Sequence, residues 1–344
     1  MKKSRFFVNI LVLAFLCVFA RPAGLFAQRG TSSSGIEIKL ASPLPENSAW
    51  GEALKKLATD WGRATNNQVR VRILHNAMEG GEEKMISSLN SNNIQAALFS
   101  SFGLSAICPP VMTISVPFNI KNDAELDAVY REIEPVLDNI AGKSNHHVLA
   151  WSRAGWVNIF SKDQIYTPDD LKRIKIASNA EAEHMNNVFR SMGFQIVETD
   201  WTDVGPKVNS GVVSAVYQIS PVVAAYRLDD TMKNMMSTPI APVIGGIVIN
   251  NVTWSKISPA HQQELMRITR RIAAEFDANM PKTAGNAVTA MTRRGLKVNQ
   301  LNRAQEELWE NEIKRVIPSL IGVTFDNDLY QRINNILSRY RGSR

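Results

Sequence analysis

Two cysteines in 344 residues leave little room for thiol chemistry. One of them, Cys17, falls in the apolar N-terminal run, so Cys108 has no partner for an internal disulfide. In the stretch AICPPVM, Cys108 is expected to pack as a small buried hydrophobe. Long apolar runs are equally scarce. The longest, Phe6 to Ala20, covers about 15 residues and falls short of the ~20 that a membrane span requires. Catalytic signatures are missing too: there is no GxSxG elbow, Walker loop, GxGxxG, HExxH or CxxC. That argues against an enzyme, and no cofactor is expected. Basic residues lack aromatic interleaving and alternate with acids on predicted helices, as in EELWENEIKR (306–315). Nucleic acid is therefore not an expected partner.

What is present begins with a leader. Lys2, Lys3 and Arg5 precede the apolar run, and Pro22, Gly24 and Leu25-Phe26-Ala27 follow it. This is the layout of a secretory signal peptide over residues 1–27, which places the mature chain in the periplasm. Cys17 offers lipid anchoring as an alternative, although Leu16 before it is bulky where a small residue is usual. The leader holds Lys2, Lys3, Arg5 and Arg21 and no acid, so its removal lowers the formal charge from +7 to +3. Residues 28–35, small and polar, are a flexible tether.

Strand and helix patterns then alternate. IEIKL (36–40) and VRVRIL (69–74) flank a helical pattern over 49–63 with Leu54, Leu57 and Trp61 on one face. A helix after Gly80-Gly81 turns Met85, Ile86 and Leu89 inward, and IQAALFSS (94–101) suits a strand covered on both faces. This order implies a parallel sheet with right-handed crossovers. A helix over 123–141 and the strand VLAWS (148–152) follow. GWVNIFS (155–161) is expected to open a second unit, where IKIAS, a helix over 181–192, FQIVET, a short helix from Thr202 and VVSAVYQI repeat the theme. GGIVINNVTW (245–254) reads as a further buried strand.

Thr167-Pro168-Asp169-Asp170 is a helix start, with a capping hydroxyl, Pro at the first helical position and acids near the positive end. The following Ile174-Lys175-Ile176 delivers Ala177, Ser178 and Asn179 to a strand's carboxyl end, where open α/β sheets bind ligands. From Ser258, helical spacing runs through Leu265, Ile268, Ile272, Phe276 and Met291 and stops at Gly295. Such a helix measures roughly 54 Å, enough to lie along two domains as a spine. Pro281 should kink it, with a break into two helices as the alternative.

Titratable clusters are sparse. Glu181, Glu183 and His184 point different ways on a helix, which suits a solvated face better than a metal. His146-His147 lies at an expected surface connection. Asp326-Asn327-Asp328 lacks the Gly and distal Glu of a calcium loop and is expected to cap a helix. An exported two-unit α/β chain without catalytic equipment points to a small-molecule site in the cleft between its units.

Several stretches in order then carry a resemblance. LASPLPENSAWGEAL, GGEEKMISSLNSNNIQAALFSS, SVPFNIKND, TPDDLKRIKIASN and VNSGVVSAVYQISP resemble blocks of the C4-dicarboxylate-receptor type of periplasmic solute-binding subunit of tripartite ATP-independent periplasmic (TRAP) transporters. The likeness runs from about Ile36 past residue 320. It implies a two-lobed periplasmic-binding-protein-like α/β fold with a long helix spanning both lobes. Lobe I would comprise 36–151 and 240–257, lobe II 152–239 and 296–344, and the helix 258–295. It also implies TRAP permease subunits as partners and, as in some members, a separate helical-repeat periplasmic protein.

The resemblance further implies which residues face the cleft. It turns Leu44, Met78, Phe102, Phe118, Trp156, Ala177, Val216 and Tyr217 that way, with Ser101, Asn179 and Gln218 as hydrogen-bonding groups. Ala177 stands where the family places a carboxylate-binding arginine, and Val157 stands at another frequently basic position. The expected ligand is therefore small and uncharged or hydrophobic, unless Lys175 or Arg153 takes over the clamp. A receptor-like docking adaptor and an exported α/β enzyme are the rival readings.

Overall fold

The computed structural model describes residues 35–179, 182–199 and 201–343. The leader, Cys17, most of the tether and Glu181 lie outside the described residues.

The first half follows the alternation of its sequence. Strand β1 (Ile36–Ala41), helix α1 (Ala49–Ala64), β2 (Val69–Leu74), α2 (Glu82–Asn90), β3 (Ala96–Ser100) and α3 (Ser101–Ser105) come in order. β1 pairs in parallel with both β2 and β3. A 3-10 segment at Pro109–Ser115 leads to α4 (Asp123–Ala141), capped by the Asn122 side chain. The strand β4 (His146–Ser161) follows.

The second half repeats the motif with α5 (Pro168–Lys172), β5 (Lys175–Ser178), α6 (Glu183–Ser191), β6 (Gln195–Glu198), α7 (Trp201–Asn209), β7 (Ala215–Ile219) and α8 (Ser220–Ala225). β5 is parallel to β6 and β7. α5 opens on a full capping box between Thr167 and Asp170.

A short β8 (Asn234–Met236) precedes β9 (Ala241–Asn250) and α9 (Asn251–Trp254). β9 runs antiparallel to β3 on one side and to β4 on the other, and β4 runs antiparallel to β7. One sheet, ordered β2-β1-β3-β9-β4-β7-β5-β6, thus crosses both halves. The sheet is mixed rather than parallel throughout, because β4 and β9 stitch together two parallel units.

VLAWS and GWVNIFS prove to be one strand, so the expected boundary at residue 152 falls inside β4. Register shifts at Val148/Ala150 and Arg153/Gly155 mark bulges, and Gly155 takes φ +120°, open to glycine and strained for other residues. Two strand patterns separated by Arg153-Ala154 are thus one bulged strand. His146 and His147 also belong to β4: His146 is buried, and His147 stacks on Trp254 at 5.1 Å.

Helix α10 (Pro259–Arg293) is a single element with Pro281 inside it. On the first half, Trp61 Nε1 donates to Thr269 Oγ1 at 3.1 Å, and Trp50 packs on Phe276 at 5.3 Å. On the second, Met291 joins Met235 and Leu296 in an apolar cluster, and Arg294, just past the helix, forks onto the buried Asp229 at 2.7 and 2.9 Å. The helix therefore touches both halves, as a spine must.

After β10 (Lys297–Asn299), α11 (Arg303–Leu320) packs by α5 and α6 of the second half. α12 (Asn327–Gly342), capped by Asp326 as expected, does not stay there. Its apolar stripe Leu329, Ile333, Ile336 and Leu337 is buried, and the helix lies against α4. Arg341 forks onto Glu125, and Arg339 holds Glu132. The assignment of 296–344 to lobe II is corrected for this last helix, which its apolar face and two arginines bind to the first half.

Candidate functional site

A cavity of about 660 Å³ opens where the carboxyl ends of the parallel strands converge. Leu44 follows β1, Asn76 and Ala77 follow β2, Ser101 follows β3, Asn179 follows β5, and Gln218 lies near the end of β7. β4 contributes Ser152, Ala154 and Val157, and β9 contributes Pro242, Val243 and Gly245. Both halves supply walls, and both connecting strands pass through. Phe102, Met112, Met185, Phe189 and Tyr226 make much of the remaining surface apolar.

Strand alternation decides which residues reach it. On β5, Ala177 packs with Val204, Val208 and Val216, whereas Ser178 lines the cavity. On β7, Tyr217 lines the cavity, while Val216, paired in register with Ala177, turns to the opposite face. On β4, Val157 faces in, and Trp156 instead donates its indole N–H to Asp123 Oδ1 at 2.7 Å. Ala177 and Val216, in register, share the face that alternation turns away from Ser178 and Tyr217.

Of the expected residues, Leu44, Ser101, Phe102, Asn179, Tyr217 and Gln218 line the cavity; Met78, Phe118, Trp156, Ala177 and Val216 do not. Met78 is 69% exposed at the tip of the loop whose backbone forms the rim. Phe118 is buried at φ +58° and packs against Trp309 at 5.7 Å. Ser178 was missed although it neighbours Ala177, and the alternation within KIAS could have found it.

Charge is nearly absent from the walls. Glu82 lines the cavity, but its carboxylate accepts from Ser100 N, Ser100 Oγ and Gly103 N at 3.0, 3.0 and 2.6 Å, fastening α3. Gly103 permits that approach, since a Cβ there would lie 2.6 Å from Glu82 Oε2. Arg153, beside the cavity residues Ser152 and Ala154, is held by Asp127 and Asp277. Lys175 is exposed at the far end of β5 and does not line the cavity. No Lys, Arg or His is among the described residues that do.

Polar groups are few and mostly committed. Ser101 Oγ donates to Ile244 O at 2.9 Å and accepts from Ile244 N at 3.1 Å, which clips α3 to β9. Tyr217 OH meets Ser178 Oγ at 2.9 Å, and burial pushes its phenol up to about 12. Gln218 Oε1 accepts from Ile219 N at 2.8 Å. At the rim, Ala77 holds φ +53°, a left-handed conformation of the kind that gathers at ligand sites.

Bacterial extracellular solute-binding protein, family 7, matches residues 40–321. The chain belongs to this family. Its curated relatives include a solute-binding protein of Chromohalobacter salexigens, 21% identical over 262 residues, 73% of this chain and 75% of the relative. The 2,3-diketo-L-gulonate-binding periplasmic protein of Escherichia coli is 22% identical over 249 residues, 71% and 75% of the two chains. Among solved structures, a TRAP periplasmic solute-binding protein of Ralstonia eutropha with bound (S)-2-acetolactate is 20% identical, with TM-score 0.80 over 88% of this chain and 99% of its own. A Chromohalobacter salexigens counterpart with bound D-glucuronate is 17% identical, with the same TM-score and coverage. These likenesses establish the two-lobed α/β fold. This family 7 protein is a solute receptor and not an enzyme. Among its described residues, no group of His, Cys, Asp and Glu could hold a metal, and no helix is long and apolar enough to cross a membrane.

Proposed function

We propose that this chain is a periplasmic TRAP receptor whose ligand is small, neutral and largely apolar. The observation that carries the reading is a cavity lined by no cation among the described residues. Relatives of the same fold hold D-glucuronate or L-malate, and a carboxylate transferred into this cavity would find no guanidinium or ammonium. An unpaired, desolvated carboxylate costs several kcal/mol, which removes useful affinity. Val157 occupies one wall as a hydrocarbon, and Arg153 is neutralised by two aspartates.

The leader over residues 1–27 would export the chain. The two βαβ halves then act as jaws about β4 and β9, closing on the ligand and presenting it to a TRAP-type permease.

Titration calorimetry at low salt, where charge attraction is least screened, gives anions their best chance. D-glucuronate, L-malate and succinate should give no saturable heat, whereas native mass spectrometry of gently purified protein should reveal a neutral adduct. Micromolar binding of any of the three acids by the unaltered protein would overturn the proposal.

A further inference from the structure

The hydrogen bonds around Tyr217 run in one direction, and that direction follows from groups that can only donate or only accept. Asn186 is fully buried on α6. Its amide nitrogen faces the carbonyl of Asn179 at 3.0 Å and a carboxylate oxygen of Glu198 at 3.5 Å. Both are pure acceptors, so the Asn186 amide oxygen must be the atom in contact with Ser178 Oγ. Two oxygens this close need a proton between them, and an amide oxygen has none. Ser178 therefore donates to Asn186. Its single proton is spent, so the contact between Ser178 Oγ and Tyr217 OH must be made with the tyrosine's proton.

The phenol oxygen of Tyr217 thus keeps lone pairs and no proton for a ligand. The adjacent Gln218 has the opposite character. A backbone N–H can only donate, so the bond from Ile219 N fixes the Gln218 amide oxygen there and leaves the NH2 to the cavity.

We propose that the directed chain from Tyr217 through Ser178 to Asn186 makes this wall an acceptor, so that the ligand presents a hydroxyl or N–H to Tyr217 and a carbonyl or ether oxygen to Gln218. The inference rests on the neutral-ligand reading and sharpens it. A carboxylate would meet an oxygen that repels it, and a purely hydrocarbon ligand would leave the phenol oxygen and the amide without partners.

Three probes sharing one skeleton test this: 2-naphthol, 2-methoxynaphthalene and 2-naphthoate, each titrated into the full mature chain by calorimetry. The naphthol should bind about tenfold more tightly than its methyl ether, the value of one hydrogen bond. In Tyr217→Phe the ratio should fall to about one. In Ser178→Ala the phenol proton is released, so the ether should gain on the naphthol. Equal affinity of naphthol and ether for the unaltered protein would overturn the inference while leaving the neutral-ligand reading in place. Preference for 2-naphthoate, or no binding of either neutral probe, would overturn both. The comparison on the unaltered chain decides the matter even if a variant fails to fold.

Discussion

Ala177 lies one residue from the cavity and faces away from it. Its side chain is 3% exposed, packed among valines of the second half. Ala177→Arg would drive a guanidinium into that cluster, at an expected cost of roughly 3 kcal/mol or more in stability. A lowered urea midpoint without any gain of D-glucuronate binding is the expected result. Undiminished stability together with micromolar D-glucuronate affinity would show that the longer side chain escapes into the cavity. The sequence marked this spot as unusual, but placing Ala177, Val216 and Trp156 on the wall required ignoring the face each takes in its own strand. Tyr217 and Gln218 were legible from their block. The direction of the hydrogen bonds around them was not, because Asn186 and Glu198 come from other elements and only the fold brings them together.

At the scale of elements, α10 is tied near its middle and at its far end by polar contacts as well as by apolar ones. Near its middle, Asp277 accepts from Ser152 Oγ at 2.6 Å and Arg153 N at 2.9 Å, clasping the bulge of β4 beside the cavity. At its far end, Arg294 neutralises Asp229, a side chain only 1% exposed. Arg294→Ala would strand that carboxylate, and an expected loss of about 3 kcal/mol should appear in chemical denaturation. Arg294→Ala combined with Asp229→Asn should recover most of it; no recovery would mean that the arginine acts by packing alone. Helix periodicity foretold α10 within two residues at each end, because a long amphipathic stripe with a capping serine is a local signal. The bulged continuity of β4 and the return of α12 to α4 depend on partners far along the chain, which no local window contains.

For the whole molecule, the two histidines opening β4 set an acid limit. Burial holds both imidazoles below their ordinary 6.5. The unfolded chain then binds protons more readily than the folded one, so their contribution is complete above about 6.5 and is lost as the pH falls through the lower folded values. Urea midpoints should drop between pH 7.5 and 5.5, and a variant with both His146→Gln and His147→Gln should show a flatter dependence. An unchanged slope would assign the acid sensitivity to other groups.

The return of α12 to α4 also governs when this fold can be finished. Arg339 reaches Glu132 across 207 positions of chain, so the first half cannot complete its surface until α12 has been made. Contacts closed over such distances form slowly. A polypeptide whose family works outside the cell's inner membrane gains from that delay. Until α12 has been made, the face of α4 that it covers stays bare, and the first half is short of its finished surface.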